Sequence, residues 1–323
     1  MNALRLMVRR TLSYSLDPVL PCGLLLALAL GLSSATWAAE AQKTFSTPEQ
    51  AAAFLDAAVK AKDSQALREL FGSAAREVEN PDRVQATNEY NAFAAAMAET
   101  NHLSWESPNR VVIEVGALSW PFPIPMVKNS TGWFFDTKAG EEEILNRRIG
   151  KNELKTLEVV RAYVEAQREY ASVDRNGDEV LEYAQKLMST EGLKDGLFWP
   201  LELDGGMSPL GPLVADAQNV GYNLDRRTEG AAVAPFHGYY FKILKRQGSH
   251  APGGKYDYVI NGHMIAGFAL VAWPAEWGQS GVMTFIVNQQ GRVYQKDLGP
   301  KTSKMAVSMK VYDPGLGWVL SAN

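Results

Sequence analysis

Residues 139–173, AGEEEILNRRIGKNELKTLEVVRAYVEAQREYASV, form one long polar helical tract between two stretches rich in β-branched and aromatic residues. Leu154, Leu157, Val160, Val164 and Ala171 share a stripe at helical spacing, and charge covers the opposite side. A helix of this build must lay its stripe against a sheet or another helix, so the tract divides the chain and sets its class. Ile149 and Gly150 predict an interruption within it, with Asn152 capping the second half.

Ahead of the tract, TPEQAAAFLDAAVKAKDSQALRELFG reads as a helical hairpin, with Thr47 or Ser46 as cap and Pro48 tolerated in the first turn. A further helix is expected around Tyr90 to Thr100. The runs RVVIEVG, WPFPIPMVKN and GWFFDT then predict a small antiparallel sheet turning at residues 129–132, NSTG. After the tract come a Gly- and Pro-rich stretch and the strand-like runs HGYYFKIL, YDYVING, MIAGFALVAWP, GVMTFIVNQ and RVYQKDL. The expectation is α+β in two domains: residues 43–138 as helical hairpin plus small sheet, and 139–323 as a long helix packed on an antiparallel sheet.

Residues 1–38 have the build of an export signal: Arg5, Arg9 and Arg10, the apolar run GLLLALALGL, then the small-residue stretch SSATWAAEA. The apolar run from Gly23 to Leu32 is far shorter than the roughly 20 residues that a membrane-spanning helix needs. Cleavage after Ala38 is expected, giving a periplasmic or secreted chain with no membrane span. Cys22 precedes its apolar segment rather than following it, which argues against lipidation. Without the leader the chain carries 29 basic and 35 acidic residues and no cysteine. That excludes disulfides, thiol catalysis and thiolate metal sites. A net −6 balance without basic blocks also makes nucleic acid a poor partner.

The most chemically suggestive segment is DRNGDEVLEYAQ, residues 174–185. Calcium takes six to eight oxygens, which loops supply from alternating positions, and Asp174, Asn176, Asp178 and Glu182 stand at the first, third, fifth and ninth. Against this, the sixth position is Glu179 where glycine is needed for the bend, and the twelfth is Gln185 where a bidentate glutamate belongs. A purely structural turn is the favoured reading: Gly177 would close the preceding helix and Asp178 would cap the next.

Trp199, Trp273 and Trp277 lie near loop-forming Pro and Gly, with Asp204 and Glu276 close in sequence, and could stack on sugars of an envelope polymer. The competing reading is that they fill the core of a chain that has no disulfides. His102, His237, His250 and His263 show no metal-ligand spacing. Around Ser280, GQSGV departs from a nucleophile elbow by one position, and GSHAPGGK likewise misses a phosphate loop. The acidic run Glu141 to Glu143 reads as a solvated helix face.

The segments WPFPIPMVK, EEILNRRIGKNEL, RAYVEAQREYASVDRNGD and AGFALVAWPAEWGQSGVMTFIVNQQGRVYQKDLGP together resemble the bacterial exported family known as domain of unknown function twenty-nine fifty, over about Phe45 to Trp318. The resemblance implies an exported address and no assigned activity. Members commonly carry DRDGDG in the loop, where this chain has Asn176 and Glu179. At the level of pattern only, the first module resembles cystatin-like folds of exported proteins, and the second resembles the globular heads of pilin-like proteins. The expected function is that of a non-catalytic cell-envelope binding or assembly factor, its partner an envelope protein or polymer. The alternatives are a cell-wall-directed hydrolase using carboxylates and a calcium-stabilised scaffold.

Overall fold

The computed structural model describes residues 42–200, 206–222 and 235–321. The expected leader with Cys22, and Asp204, lie outside them. Helix α1 (Pro48–Ala61) starts at Thr47, whose hydroxyl accepts from the Gln50 N–H, and stops at Lys62 in the left-handed region. Asp63 caps α2 (Ser64–Phe71), and a 3₁₀ segment (Ser73–Val78) leads on to α3 (Arg83–Glu99), capped by Asp82. The sheet of this module is antiparallel throughout: β1 (Asn101–Ser107), β2 (Arg110–Val115), β3 (Trp120–Pro121), β4 (Met126–Lys128) and β5 (Trp133–Phe135). Strand β2 pairs with β1 on one side and with β3 and β4 on the other, and β5 closes the edge. The expected turn at 129–132 is held by Asn129, whose Oδ1 accepts from the N–H groups of Thr131 and Gly132. Leu55, Leu70, Phe71, Phe93, Ile113 and Phe135 form the core between helices and sheet.

Helix α4 (Thr137–Tyr170) is continuous, so the expected interruption at Ile149 and Gly150 does not occur. A cap at Asn152 would turn its Oδ1 back to the N–H groups of the helix's next turn. Instead Asn152 is 0% exposed and both ends of its amide are bonded. Its Oδ1 accepts from Gln85 Nε2 at 2.6 Å and its Nδ2 donates to the Ser280 carbonyl at 2.8 Å. Buried polar groups must find such partners, and here both are tertiary, so helical propensity at Gly150 is overridden by what surrounds the helix. The 34 residues span about 51 Å. Ile144 at one end packs into the first core and Leu157 to Tyr170 into the second, so a single helix serves both.

The second core lies under an antiparallel sheet in the order β14–β13–β12–β11–β6: β6 (Tyr239–Leu244), β11 (Ala269–Pro274), β12 (Met283–Asn288), β13 (Tyr294–Asp297) and β14 (Val319–Leu320). Short pairs β7 (Arg246–Gln247) with β8 (Tyr256–Asp257), and β9 (Val259–Ile260) with β10 (His263–Met264), project from it. Every residue of β11 is buried, and α4 and α6 (Thr302–Ser308) both pack against it; this is why ALVAWP reads as an unbroken apolar run and not as an alternation. Helix α5 (Gly211–Asn219) completes the module. The fold is therefore α+β, with a long helix and, among the described residues, two five-stranded antiparallel sheets beside the two short pairs. Among the described residues, no helix is long and apolar enough to cross a membrane.

Further polar contacts tie the modules at the middle of α4. Arg148 is buried and donates to the carbonyls of Val78 and Glu79, and Lys151 pairs with the buried Glu89 at 3.0 Å. Asp82 accepts from the Tyr222 hydroxyl at 2.6 Å and from the Gly238 N–H at 3.1 Å. Gly238 has φ +74°, and a Cβ there would lie 2.5 Å from Asn152 Nδ2, so this approach requires glycine.

Candidate metal site and neighbouring cavities

Among the described residues no helix lies between α4, which ends at Tyr170, and α5. The turn itself is present, with Gly177 at φ +74°, but its expected helical setting is corrected: Gly177 closes no helix, and Asp178 caps none. Glu179 at φ +66° breaks helical continuation at the point where a second helix would begin. Asp178 Oδ1 instead accepts from the Val180 N–H at 2.9 Å.

The four expected ligands separate into one and three. Asp174 accepts from the N–H groups of Asn176 (3.2 Å), Gly177 (2.8 Å) and Glu179 (2.8 Å), and these bonds, Glu179 first, hold its carboxyl below the usual range. It organises the loop. Asn176, Asp178 and Glu182 do come together: Asn176 Nδ2 donates to Asp178 Oδ2 at 2.7 Å and to Glu182 Oε1 at 3.3 Å.

The structure adds His263, whose Nδ1 lies 3.5 Å from both Asp178 Oδ2 and Glu182 Oε1. One donor atom from each of Asp178, Glu182 and His263 falls within 4.8 Å of the others. The β9–β10 hairpin places His263. Its two-residue turn, Asn261 and Gly262, has positive φ at both positions, as such hairpins require. The loop is fastened to that hairpin by Tyr183 N–H to the Met264 carbonyl (2.8 Å), Met264 N–H to Glu182 Oε2 (3.1 Å) and Gln185 Nε2 to the Gly262 carbonyl (2.6 Å). Sequence spacing misses His263, although the Asn-Gly pair ahead of it signals the hairpin.

A polar cavity of about 620 Å³ opens beside this cluster, with Tyr170, Arg175, Asn176, Glu182, Lys186 and Lys245 among its walls. A second cavity, of about 360 Å³, lies between α4, α5 and the β6–β11 pair and is apolar, with Leu187, Met188, Leu213, Phe241, Leu270 and Trp273 among its walls.

The three tryptophans do not form a common platform. Trp199 is 2% exposed, with Arg175 and Lys194 at 5.1 and 5.7 Å from its ring centroid. Trp273 is 7% exposed and walls the apolar cavity. Trp277 is 37% exposed, and its indole donates to Asp297 at 2.8 Å. Ser280 is fully buried and bonds within its own turn, to the Glu276 carbonyl and from the Glu276 N–H, which leaves no accessible nucleophile there. The half-buried Glu153 accepts from the N–H groups of Val282 and Met283 at 2.9 Å. Burial pushes the carboxyls of Glu153 and Asp82 above their ordinary values, while both join elements together.

No curated protein and no solved structure matches the chain. The match that exists is to a family described as protein of unknown function (DUF2950), over residues 42–320. That span includes both modules, the loop and the hairpin, and the chain belongs to the DUF2950 family.

Proposed function

We propose that this chain is an exported cell-envelope factor that binds its partner without transforming it. The observation that supports this reading most is the composition of the apolar cavity. Among the described residues its walls are aliphatic, aromatic and thioether side chains. The tyrosine hydroxyls of Tyr163 and Tyr239 donate to the carbonyls of Ala269 and Met283, and burial raises both well above the ordinary phenol value. Catalysis needs a proton donor or acceptor within reach of a bound group. An apolar pocket of this size instead offers burial, at about 25 cal/mol per Å² of apolar surface removed from water.

The occupant is an apolar group carried by an envelope polymer or protein. The hydrolase alternative draws less support: among the described residues, neither cavity brings a pair of carboxylates against a tryptophan wall. The export leg rests on the leader's build in residues 1–38.

Titration of the purified chain with a fluorescent naphthylamine probe is expected to show saturable one-to-one binding, displaced by decanoate. Leu213→Trp, which fills the cavity, is expected to abolish it while the protein still melts cooperatively. A probe signal that never saturates, or that survives Leu213→Trp, rules the reading out. Intact-mass analysis of the native product tests the address and should find residues 1–38 removed.

A further inference from the structure

We infer that Asp178, Glu182 and His263 form a site for one divalent transition cation of the zinc class, independent of the apolar cavity. The donor chemistry distinguishes this from the calcium expected from the loop alone. Calcium is held by oxygens, six to eight of them, whereas an imidazole nitrogen with two carboxylates suits zinc and its neighbours.

The geometry agrees. Ligand bonds of about 2.1 Å in a tetrahedral site place neighbouring donors roughly 3.4 Å apart. His263 Nδ1 stands 3.5 Å from each carboxylate oxygen. That nitrogen is shielded from solvent and makes no hydrogen bond, an arrangement that is costly unless something else satisfies it.

The carboxylates are also oriented for the task. Asp178 gives Oδ1 to the Val180 N–H and Glu182 gives Oε2 to the Met264 N–H, so each acid turns its other oxygen toward His263. Fixing one oxygen by a backbone donor is how outer contacts aim metal ligands. The Asn176 amide N–H group rests on the same two inward oxygens, supplying the partial positive charge that the pair needs. A cation would displace it. The polar cavity bordered by Asn176 and Glu182 gives the fourth coordination position room for water or a ligand.

The test is calorimetric titration of the chelator-stripped chain with zinc chloride and, separately, calcium chloride, with thermal melts in parallel. The expected result is one zinc ion per chain and a raised Tm. His263→Gln should weaken zinc at least tenfold, with a metal-free melt unchanged. Should that variant fail to fold, Asp178→Asn gives the same reading, and NMR of the unsubstituted chain should show the His263 ring resonances move on zinc addition. Zinc binding that survives His263→Gln, His263 resonances that stay still, a response to calcium alone, or no response to either ion would each overturn the inference.

Discussion

Gln85 and Asn152, from different modules, share a 2.6 Å hydrogen bond deep in the molecule. Gln85 is fixed in turn by Asn80, whose Nδ2 donates to Gln85 Oε1 at 2.8 Å, and Asn152 reaches on to Ser280. The chain of contacts joins α3, α4 and the turn before β12. Asn152→Leu keeps the branching of the side chain but orphans the Gln85 amide and the Ser280 carbonyl, at about 1–3 kcal/mol for each. Urea melts should show that loss, and a double-mutant cycle with Gln85→Ala should show coupling above about 0.5 kcal/mol. Additive effects would mean that the two side chains do not support one another.

Gly150 makes a complementary case. It lies within α4, and a Cβ there meets nothing within 4 Å. Gly150→Ala removes backbone freedom from the unfolded chain without creating a clash, so it should stabilise by about 0.4–1 kcal/mol. A fall in Tm would show that the helix needs glycine at this point.

These two residues also mark where the sequence is readable. The α+β class and the strands follow from local pattern, because runs such as MTFIVN and RVVIEV are bounded by turn pairs and are strand-like on their own. The continuity of α4 is not local: glycine argues for a break, and contacts far away in the chain, those of Asn152 to Gln85 and Ser280 among them, hold the helix through it. The metal cluster divides in the same way. The loop's carboxylates stand out by spacing, whereas 82 residues separate Glu182 from Met264, and only the hairpin register delivers His263 beside it. Asp174 misleads for a different reason: its oxygens face the loop's own N–H groups, a choice that spacing does not reveal.

Trp273 and Trp277 should respond oppositely to truncation. Trp273 is enclosed, with the Tyr240 ring at 5.8 Å, so Trp273→Ala should cost about 3–5 kcal/mol. Trp277 is partly exposed and contributes one hydrogen bond to Asp297, so Trp277→Ala should cost about 0.5–1.5 kcal/mol. Thermal melts of the two variants side by side decide it, and equal losses would contradict the burial difference.

His237 predicts a specific acid sensitivity. It has φ +48°, packs against Phe236 and Tyr222, and its Nδ1 is buried without a partner. Burial, aided by Lys151 and Lys155 and opposed by Glu158, pushes the imidazole from an ordinary 6.5 down to about 4. The unfolded chain therefore takes up this proton first as pH falls. Stability from His237 is present above pH 6.5 and is lost progressively down to about pH 4, by about 2 kcal/mol once solvent contact of the ring is allowed for. Asp82, joined to the same cluster through Tyr222, acts in the other direction: burial raises its carboxyl, so the folded state takes that proton first and gains stability on acidification. The two partly cancel in the native protein. His237→Asn, which tolerates the left-handed backbone, removes one of them. Its urea stability should fall less steeply than that of the native chain between pH 6.5 and 4, and parallel curves would show that His237 does not titrate as its burial requires.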